Sequence, residues 1–262
     1  MKLSNKRKIA QVAAFTISNI GFYRVLKTGF ACPFLHCHGC PLAAFGCPIG
    51  ILQNAPTLIT DGLVGILLFT IGSLGVYGMI FGRAFCGWAC PFGALHDLLG
   101  YSNAKKAKTT NHWYSKYIML FLTLVFAWFT LDTVFCKFCP SGSLFAAIPF
   151  RLLYPEAAGL GLFFYIHMIT LALTIALAML VSRFWCRYLC PLGAISGAFN
   201  RASILTIEWN EEECKNCEDC LEACEMGIAK MEDIGHSTDC TLCGRCVETC
   251  SESALRFATK SK

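Results

Sequence analysis

Eight cysteines near the carboxyl end of the chain repeat one spacing twice. Each run has the pattern C-x2-C-x2-C-x3-C, and the runs are Cys214, Cys217, Cys220, Cys224 and Cys240, Cys243, Cys246, Cys250. This spacing is typical of paired 4Fe-4S clusters, in which the fourth cysteine of each run ligates the cluster of the other run. The pattern therefore predicts two crossed ligand sets: Cys214, Cys217, Cys220 with Cys250, and Cys240, Cys243, Cys246 with Cys224.

Through these runs, residues 205–258 resemble the dicluster ferredoxins. The chain departs from that pattern at one point, because proline normally follows the fourth cysteine, whereas Glu225 and Ser251 stand there. We expect this departure to alter the potential or the solvent exposure of the clusters and to leave ligation intact. Structural zinc is the alternative, since C-x2-C pairs also suffice for zinc. Eight cysteines in duplicated register favour iron and sulfur.

Four further cysteines each begin a Cys-Pro-x-Gly unit: Cys47, Cys90, Cys139 and Cys190. Proline suits the first position of a helix, where no amide donor is needed. The free amides there favour a negatively charged sulfur. We therefore expect each unit to start a short helix that lies at the membrane interface or dips into it. The apolar segments that follow are Ile51–Ile59, Leu95–Leu99, Leu144–Leu153 and Ile195–Phe199.

Two of these units carry a second cysteine four residues earlier. The sequences FCGWACPFG and WCRYLCPLG pair Cys86 with Cys90 and Cys186 with Cys190. Both pairs follow apolar stretches that are expected to end on the cytoplasmic side of a membrane. Two C-x3-C-P pairs on one side predict a single four-thiolate 4Fe-4S site near that face, here called the inner site.

Six cysteines remain for the opposite face, although one cluster needs four: Cys32, Cys37, Cys40, Cys47, Cys136 and Cys139. By analogy with the inner site, we expect Cys47, Cys136 and Cys139 to be ligands. Cys40 is chosen as the fourth because it is nearest to Cys47 and precedes a proline, with Cys37 and Cys32 as alternatives.

A different arrangement of the six cysteines is also open. The first four in sequence would form a complete local site, and Cys136 and Cys139 would be joined as a disulfide. An oxidising outer compartment would permit such a bond.

The composition indicates which elements position these cysteines. Of 262 residues, 55% are hydrophobic and 15% are charged, against about 25% charged in an average soluble domain. Four apolar stretches are long enough to cross a hydrocarbon core of about 30 Å as helices. They are Ile9–Leu26, Gly62–Gly82, Tyr117–Phe135 and Ala157–Ser182.

Basic residues predict the orientation of these stretches, because Lys and Arg near span ends are retained on the cytoplasmic side. The larger basic group is Lys2, Lys6, Arg7, Lys8, Arg83, Lys105, Lys106, Lys108, Lys116, Arg183, Arg187 and Arg201. The smaller group, on the outer side, is Arg24, Lys27, Lys137 and Arg151. We therefore expect a multi-pass protein of the cytoplasmic (inner) membrane with both termini in the cytoplasm.

The predicted fold has two parts. Residues 1–204 are expected to form an all-α integral membrane four-helix bundle with re-entrant or interfacial half-helices and cluster sites at both faces. Residues 205–262 are expected to form a small α+β dicluster ferredoxin domain in the cytoplasm. The predicted cofactors are two 4Fe-4S clusters in that domain, one at the inner face and one at the outer face.

Nearly the whole chain resembles the membrane iron-sulfur proteins that include NapH, the quinol-dehydrogenase subunit of periplasmic nitrate reduction, and related polyferredoxin-type electron-transport proteins. The resemblance rests on the four apolar stretches, the C-x3-C-P pairs and the two cysteine runs. It implies electron transfer between a quinone pool or cytoplasmic donor and an extracytoplasmic oxidoreductase. The implied partners are other subunits of a redox complex, a cytoplasmic donor or acceptor, and a quinone or an extracytoplasmic redox protein. The outer segments CPFLHCHGCPLAAFGCPIG and CKFCPSG are more similar to the electron-transport branch.

Three residues are weak candidates for contact with a quinone: His96, Asp97 and His167. His96 and Asp97 could exchange protons with a quinol on the inner side, or could form an ordinary interfacial cap. His167 is the one histidine inside a predicted span, where ionisable residues are candidates for function, or it is a polar residue satisfied within the bundle. No haem is expected, because a bis-histidine site needs a second histidine at membrane depth.

Other polar and aromatic residues near the cysteines have simpler interpretations. His36 and His38 lie among the outer cysteines and are expected to form local hydrogen bonds. Trp88, Trp113 and Trp185 are expected to anchor the spans at the interface.

The sequence favours an electron-transfer subunit of an oxidoreductase complex without substrate chemistry of its own. It contains no nucleophile-base constellation, no glycine-rich nucleotide loop and no nucleic-acid motif, so no nucleic-acid partner is expected. The alternatives are a NapH-like quinol dehydrogenase subunit with a quinone site on one face, and a redox-sensing membrane protein. A sensor would need an attached effector domain, for which no residues are left.

Overall fold

The computed structural model describes residues 2–22, 31–37, 43–101, 114–156 and 161–260. The chain is mostly helical. The helices before residue 200 are α1 Leu3–Ser18, α2 Pro48–Gln53, α3 Ala55–Thr60, α4 Val64–Phe81, α5 Ala84–Trp88, α6 Pro91–Tyr101, α7 Ser115–Thr130, α8 Pro140–Gly142, α9 Ile148–Leu153, α10 Leu162–Leu180, α11 Phe184–Tyr188 and α12 Pro191–Phe199. A π-helical turn, Ser143–Ala147, joins α8 to α9.

Two of these helices, α4 and α10, are long and apolar enough to cross a membrane. Their apolar side chains lie mostly outside the protein interior, as for Leu68 and Ile169, which are 64% and 66% exposed. An apolar helix that buries little of its surface in protein suits a lipid environment. Among the described residues α7 is a shorter apolar helix, and α1 buries the polar side chains of Arg7 and Gln11. Four crossings therefore stay a prediction.

The segments α4–α6 and α10–α12 are two copies of one arrangement. In each copy a long apolar helix leads into a five-residue helix that carries the first cysteine of a C-x3-C-P pair, and a further helix starts at the proline. Equivalent residues are numbered one hundred apart, so that Cys86 corresponds to Cys186 and Cys90 to Cys190. In each copy a residue between the long helix and the five-residue helix has a positive backbone φ angle: Gly82 (φ 54°) in the first and Arg183 (φ 48°) in the second.

The short helices predicted after the Cys-Pro-x-Gly units are confirmed. Each of α2, α6, α8 and α12 begins at the proline of its unit, as expected for a residue with a fixed φ and no amide donor. The helical stretch that begins with α8 extends through α9 to Leu153.

The carboxyl-terminal part begins with β1 (Leu205–Trp209), which pairs antiparallel with β2 (Leu255–Thr259) near the end of the chain. Two short helices lie between the strands, α13 (Asp219–Glu222) and α14 (Arg245–Thr249). The apolar core between them contains Ile207, Ile228, Ile234, Leu242 and Leu255. Three of its cysteines are buried in the same core: Cys220, Cys240 and Cys246.

Candidate metal centres

The inner site brings together the four cysteines that the sequence predicts for it. Burial raises the pKa of the Cys90 thiol, and the nearby Cys86, Cys186 and Cys190 raise that pKa further. All four side chains are buried. A buried thiol is inert unless the charge of its thiolate is compensated, so this group of sulfurs suits a bound iron-sulfur cluster.

Helix starts direct amide donors at two of these sulfurs. The amide of Gly93 donates to Cys90 Sγ at 3.4 Å, and the amide of Gly193 donates to Cys190 Sγ at 3.3 Å. Free amides at a helix N-terminus stabilise negative charge. The Cys-Pro-x-Gly units therefore favour the thiolate form, which is the form that binds iron.

Two buried arginines link the two pairs of the inner site reciprocally. Arg83 donates from Nη2 to the carbonyl oxygen of Cys186. Arg183 donates from Nη1 to the carbonyl oxygen of Cys86 at 3.2 Å. Both arginine side chains are essentially inaccessible to solvent. Each repeat is therefore bound to the other by a buried, charged side chain. Displacement of either arginine would leave buried carbonyl oxygens without a hydrogen-bond donor, which is costly.

The carboxyl-terminal cysteines form two groups in the crossed arrangement. Cys214, Cys217, Cys220 and Cys250 line one pocket, here called the first ferredoxin site. The second ferredoxin site comprises Cys224, Cys240, Cys243 and Cys246. Burial raises the pKa of Cys246, and the other three cysteines of that site raise it further. Each site thus takes its fourth cysteine from the other sequence run.

The second ferredoxin site lies against the inner site. Trp88 donates from Nε1 to the carbonyl oxygen of Leu242 at 2.9 Å, and Asn200 donates from Nδ2 to that of Cys240 at 2.5 Å. Lys116, fully buried, donates to Asp239 Oδ1 at 2.5 Å. A Cβ atom added to Gly87 would meet the carbonyl oxygen of Thr241 at 2.5 Å. The loop that carries Cys240 and Cys243 is therefore packed directly on the helix that carries Cys86.

Among the outer cysteines, four line one pocket: Cys37, Cys47, Cys136 and Cys139. Three of these are predicted ligands, and Cys37 is one of the two alternatives for the fourth. Cys40, the preferred fourth ligand, lies outside the described residues. Cys32 donates instead to the carbonyl oxygens of Phe34 and Gly46, at 3.1 and 3.3 Å.

Cys136 and Cys139 are free cysteines in this structure, and the alternative of a disulfide between them stays a prediction. Burial raises the pKa of Cys136 to about 11, and nearby Cys47 raises it as well. Burial also raises the pKa of Cys139, while the backbone amide of Gly142 lowers it. The Cys-Pro-x-Gly unit at Cys139 therefore resembles those of the inner site.

Buried donors without partners test whether a cluster fits these groups. In the described part of the chain they include Trp185 Nε1 and Thr241 Oγ1, next in sequence to Cys186 and Cys240, and Trp209 Nε1, whose residue lines the first ferredoxin site. An unpaired buried donor is costly, whereas the sulfur atoms of a cluster accept hydrogen bonds. The residues present therefore fit 4Fe-4S clusters.

The spacing of the sulfurs also bears on the zinc alternative. Among the described residues, no three His, Cys, Asp or Glu side chains are placed to hold a single metal ion. A zinc ion would draw four ligands to about 2.3 Å from one point, whereas a cluster holds its thiolates at separate corners. The observed groups favour the larger cofactor.

The inner site and the outer pocket share one hydrophobic core. This buried core contains Cys47 and Cys139 together with Cys90 and Cys190. Burial raises the pKa of Cys32, and both Cys47 and Cys90 raise it further. The two cysteine groups thus belong to one continuous buried core. The first residues of α2 and α8 are buried as well.

The interpretation of Trp185 as an interfacial anchor is wrong, whereas that of Trp88 stays a prediction. Trp185 is 5% exposed, and its ring packs against Phe92 and Phe135 with centroids 6.5 and 6.2 Å apart. Trp88 is bonded to the ferredoxin loop. For Trp185, burial in the core overrides the general preference of tryptophan for the interface. Trp113 lies outside the described residues.

His36 is buried and lines the outer pocket, and its expected local hydrogen bonds stay a prediction. His38 lies outside the described residues. The sequence shows His36 next to Cys37, but only the fold excludes water from its ring.

The three quinone candidates do not share one site. Asp97 lines a cavity of about 690 Å³ with Arg7 and Gln11. His96 is buried, and its Nδ1 lies 2.9 Å from the carbonyl oxygen of Phe92. His167 is bonded through Nδ1 to Ser143 Oγ at 2.9 Å. Its ring lies near Gly142, one of the residues that line the outer pocket.

Arg83, Arg183 and Glu225 have structural roles that the sequence does not reveal. In the sequence, the two arginines indicate only the orientation of the apolar stretches in the membrane. One sequence feature does indicate a role at the inner site, because each arginine stands three residues before the first cysteine of its pair.

Comparison with known proteins places these features in a family. Over residues 62–109, 113–149 and 163–207, the chain matches the family described as a 4Fe-4S binding domain. The uncharacterized protein MJ0750 of Methanocaldococcus jannaschii is 30% identical over 223 residues, which are 81% of this chain and 86% of that protein. No solved structure matches the chain.

Two relatives have descriptive names. The ferredoxin-type protein NapH of Escherichia coli is 25% identical over 213 residues, which are 77% of this chain and 69% of that protein. YccM of Escherichia coli, described as an electron transport protein, is 29% identical over 235 residues, which are 80% of this chain and 62% of that protein.

Proposed function

This chain belongs to the 4Fe-4S binding domain family and is a NapH-like ferredoxin-type electron-transport protein, and from that membership we propose that it conducts electrons as a membrane subunit of a redox complex. The observation that carries the proposal is the packing of the second ferredoxin site on the inner site, through Trp88 and Asn200. A domain that only stored or sensed charge would not need its cysteine loop buried against a second cysteine group.

The proposed ligands are the four groups of cysteines. They are Cys214, Cys217, Cys220, Cys250; Cys240, Cys243, Cys246, Cys224; Cys86, Cys90, Cys186, Cys190; and Cys37, Cys47, Cys136, Cys139. The last set replaces Cys40 by Cys37, which lines the outer pocket. When bound, 4Fe-4S clusters would supply one-electron transfer at these four places.

The protein residues would hold and insulate this series of sites. Amides at helix starts and the guanidinium groups of Arg83 and Arg183 stabilise negative charge at the inner site. Phe92, Trp185 and Phe135 pack together in the buried core that also contains cysteines of both sites and would exclude water from it. The proposed orientation, with the ferredoxin part in the cytoplasm, rests on the distribution of basic residues.

Proteoliposomes test the proposal directly. Vesicles with a reductant inside and a membrane-impermeant acceptor outside should show outer reduction faster than vesicles without the protein. Vesicles with the same amount of a Cys90→Ser variant test whether electrons pass through the inner site, and they should show slower outer reduction than the wild type. Equal rates in all three preparations would overturn transmembrane conduction.

A second candidate function is quinol oxidation or quinone reduction at one face. The cavity of about 690 Å³ combines polar side chains of Arg7, Gln11 and Asp97 with apolar walls from Leu95 and Phe145, as expected for a ring with polar oxygens and an apolar tail. Pro91, which follows Cys90, also lines the cavity. A quinol bound there would therefore lie near the inner site.

Asp97 is better suited to hold such a ligand than to exchange protons with it. Although burial raises the pKa of Asp97, Arg183 and Arg7 hold this pKa well below its usual range, so the carboxylate stays ionised at neutral pH. The test is binding of a short-chain menaquinone analogue to the purified protein. Leu95→Trp should abolish binding, and Ile80→Trp, at an exposed position on α4, should not. Unchanged binding in Leu95→Trp would exclude this cavity.

A further inference from the structure

We infer that Glu225, at the position where dicluster ferredoxins carry proline, is a positioning residue that fixes the second ferredoxin site against the inner site. The inference rests on the proposed function, because it concerns the path between two of the proposed cluster sites. It replaces the expectation that the missing proline acts mainly on the potential or exposure of the clusters.

The carboxylate of Glu225 is buried among three arginines. Its residue is 5% exposed. Arg245 Nη2 lies 2.8 Å from Oε1, and Arg183 Nε and Arg7 Nη2 lie 3.2 and 3.3 Å from Oε2. These arginines belong to α14, to the turn before α11 and to α1. One side chain of the ferredoxin part therefore joins three separate parts of the fold, and proline at that position could form none of these contacts.

Arg183 transmits this contact to the inner site. Its guanidinium also donates to both carboxylate oxygens of Asp97 at 2.8 Å, and to the carbonyl oxygen of Cys86 at 3.2 Å. The guanidinium group of Arg183 thus connects Glu225, the residue after Cys224, with Cys86, a proposed ligand of the inner site. Bidentate arginine–carboxylate contacts fix orientation as well as distance.

The charge balance shows why the glutamate is needed. Three arginines, Arg7, Arg183 and Arg245, surround two carboxylates, those of Asp97 and Glu225. With Glu225 in place these groups carry one excess positive charge, and Arg245 is partly exposed. Removal of Glu225 would raise the excess to two charges beside the buried Arg7 and Arg183, and breaking a buried ion pair on one side is strongly unfavourable. The excess charge would be relieved by separation of the ferredoxin part from the arginines.

Ser251 follows the fourth cysteine of the second run, where dicluster ferredoxins also carry proline, and it differs from Glu225 in its contacts. Its hydroxyl donates only to the adjacent Glu252 at 3.2 Å, at an exposed position. Ser251 follows Cys250, a proposed ligand of the first ferredoxin site. Serine in place of proline therefore forms no described contact with the membrane part, and Ser251→Pro is the matched control.

The experiment uses the full chain in detergent, with the clusters reconstituted. Glu225→Gln and Glu225→Pro should retain the iron content of the wild type, because no ligand is changed. Both variants should weaken the magnetic interaction between two reduced clusters in electron paramagnetic resonance. Reduction of the inner site by a donor protein that reaches only the ferredoxin part should slow at least about tenfold, the change expected when about 1.4 kcal/mol of docking free energy is lost. Ser251→Pro should leave both measurements unchanged. Glu225→Asp, which keeps the carboxylate, should retain much of the magnetic interaction between the two clusters.

The outcomes separate the two proposals. Full iron content with an unchanged magnetic interaction and rate in Glu225→Gln would overturn the role of Glu225. Absence of cluster signals in the wild type would instead overturn the proposed function. If Glu225→Gln does not fold, Arg245→Gln removes one partly exposed arm of the same contact, and an unchanged interaction in that variant would also overturn the inference.

Discussion

Arg83 and Arg183 exchange partners across the inner site: each donates a hydrogen bond to the backbone carbonyl of the first cysteine in the other's pair. The two repeats are thereby tied together by buried cations beside four thiols. Their different environments break the symmetry, because Arg83 also bonds the carbonyl oxygens of Thr238 and Asp239, whereas Arg183 bonds Asp97.

The charge of Arg83 should raise the reduction potential of a cluster at the inner site. Electrons add negative charge, which a nearby cation stabilises. We expect Arg83→Gln to lower the midpoint potential on the order of 60 mV, equivalent to about 1.4 kcal/mol for one electron. Redox titration followed by paramagnetic resonance measures the shift. Arg83→Lys should retain most of the potential, and a potential unchanged in both variants would contradict the electrostatic role.

Substitution of single outer cysteines should identify the ligands of the outer pocket. Cys37→Ser should remove about one cluster's complement of four iron atoms per protein, because Cys37 lines the pocket with the other three cysteines. Cys32→Ser is the matched control, since Cys32 belongs to the same outer segment but donates to backbone carbonyls. Iron analysis and cluster absorbance check this. Loss of iron in Cys32→Ser alone would exclude the proposed set.

Double substitutions should reveal the crossed ligation of the ferredoxin part. Cys214→Ser with Cys250→Ser alters one group of cysteines and should remove one cluster. Cys214→Ser with Cys224→Ser alters one cysteine in each group and should remove two. Iron content and integrated paramagnetic signals distinguish the pairs of variants. The opposite order of losses would indicate uncrossed ligation.

The close approach at Gly87 should make that position intolerant of a side chain. Gly87→Ala would place a methyl group 2.5 Å from the carbonyl oxygen of Thr241 and 3.3 Å from Cys243 Cα. We expect destabilisation of about 1–3 kcal/mol, as for other overpacked sites, together with easier proteolysis between the membrane and ferredoxin parts. Gly75→Ala in α4 is the control, because nothing lies within 4 Å of its added methyl group. Equal behaviour of the two variants would contradict the packing.

Acidification should destabilise the protein through His96. Burial lowers the pKa of this histidine from 6.5 to about 4, so between these values the unfolded chain binds a proton that the folded chain does not. Stability is therefore lost as the pH falls from about 6.5 towards 4, by about 2 kcal/mol at pH 5. His96→Gln should lack this contribution. Thermal unfolding of both proteins in detergent at pH 7.5, 6 and 5 provides the comparison, and parallel curves would show that His96 does not titrate in this window.

The sequence predicts local geometry well and long-range contacts poorly. Helix starts at Pro48, Pro91 and Pro191 follow from the fixed φ of proline, a property of the residue itself. The place of Cys37 in the outer pocket depends on how α2 and α8 enter the core, which no spacing rule contains. The sequence shows Glu225 as a departure from a pattern. Only the fold supplies Arg7 and Arg183 from positions far away in the chain.

The hundred-residue offset between Cys86 and Cys186 also sets the order of biosynthesis. The inner site cannot be complete until the ribosome has passed Cys190. The loop of Thr238 to Cys243 that covers this site emerges later still. During translation there is consequently an interval in which all four inner cysteines have been synthesised and the loop that covers them has not. Iron and sulfur could be inserted into the inner site during this interval.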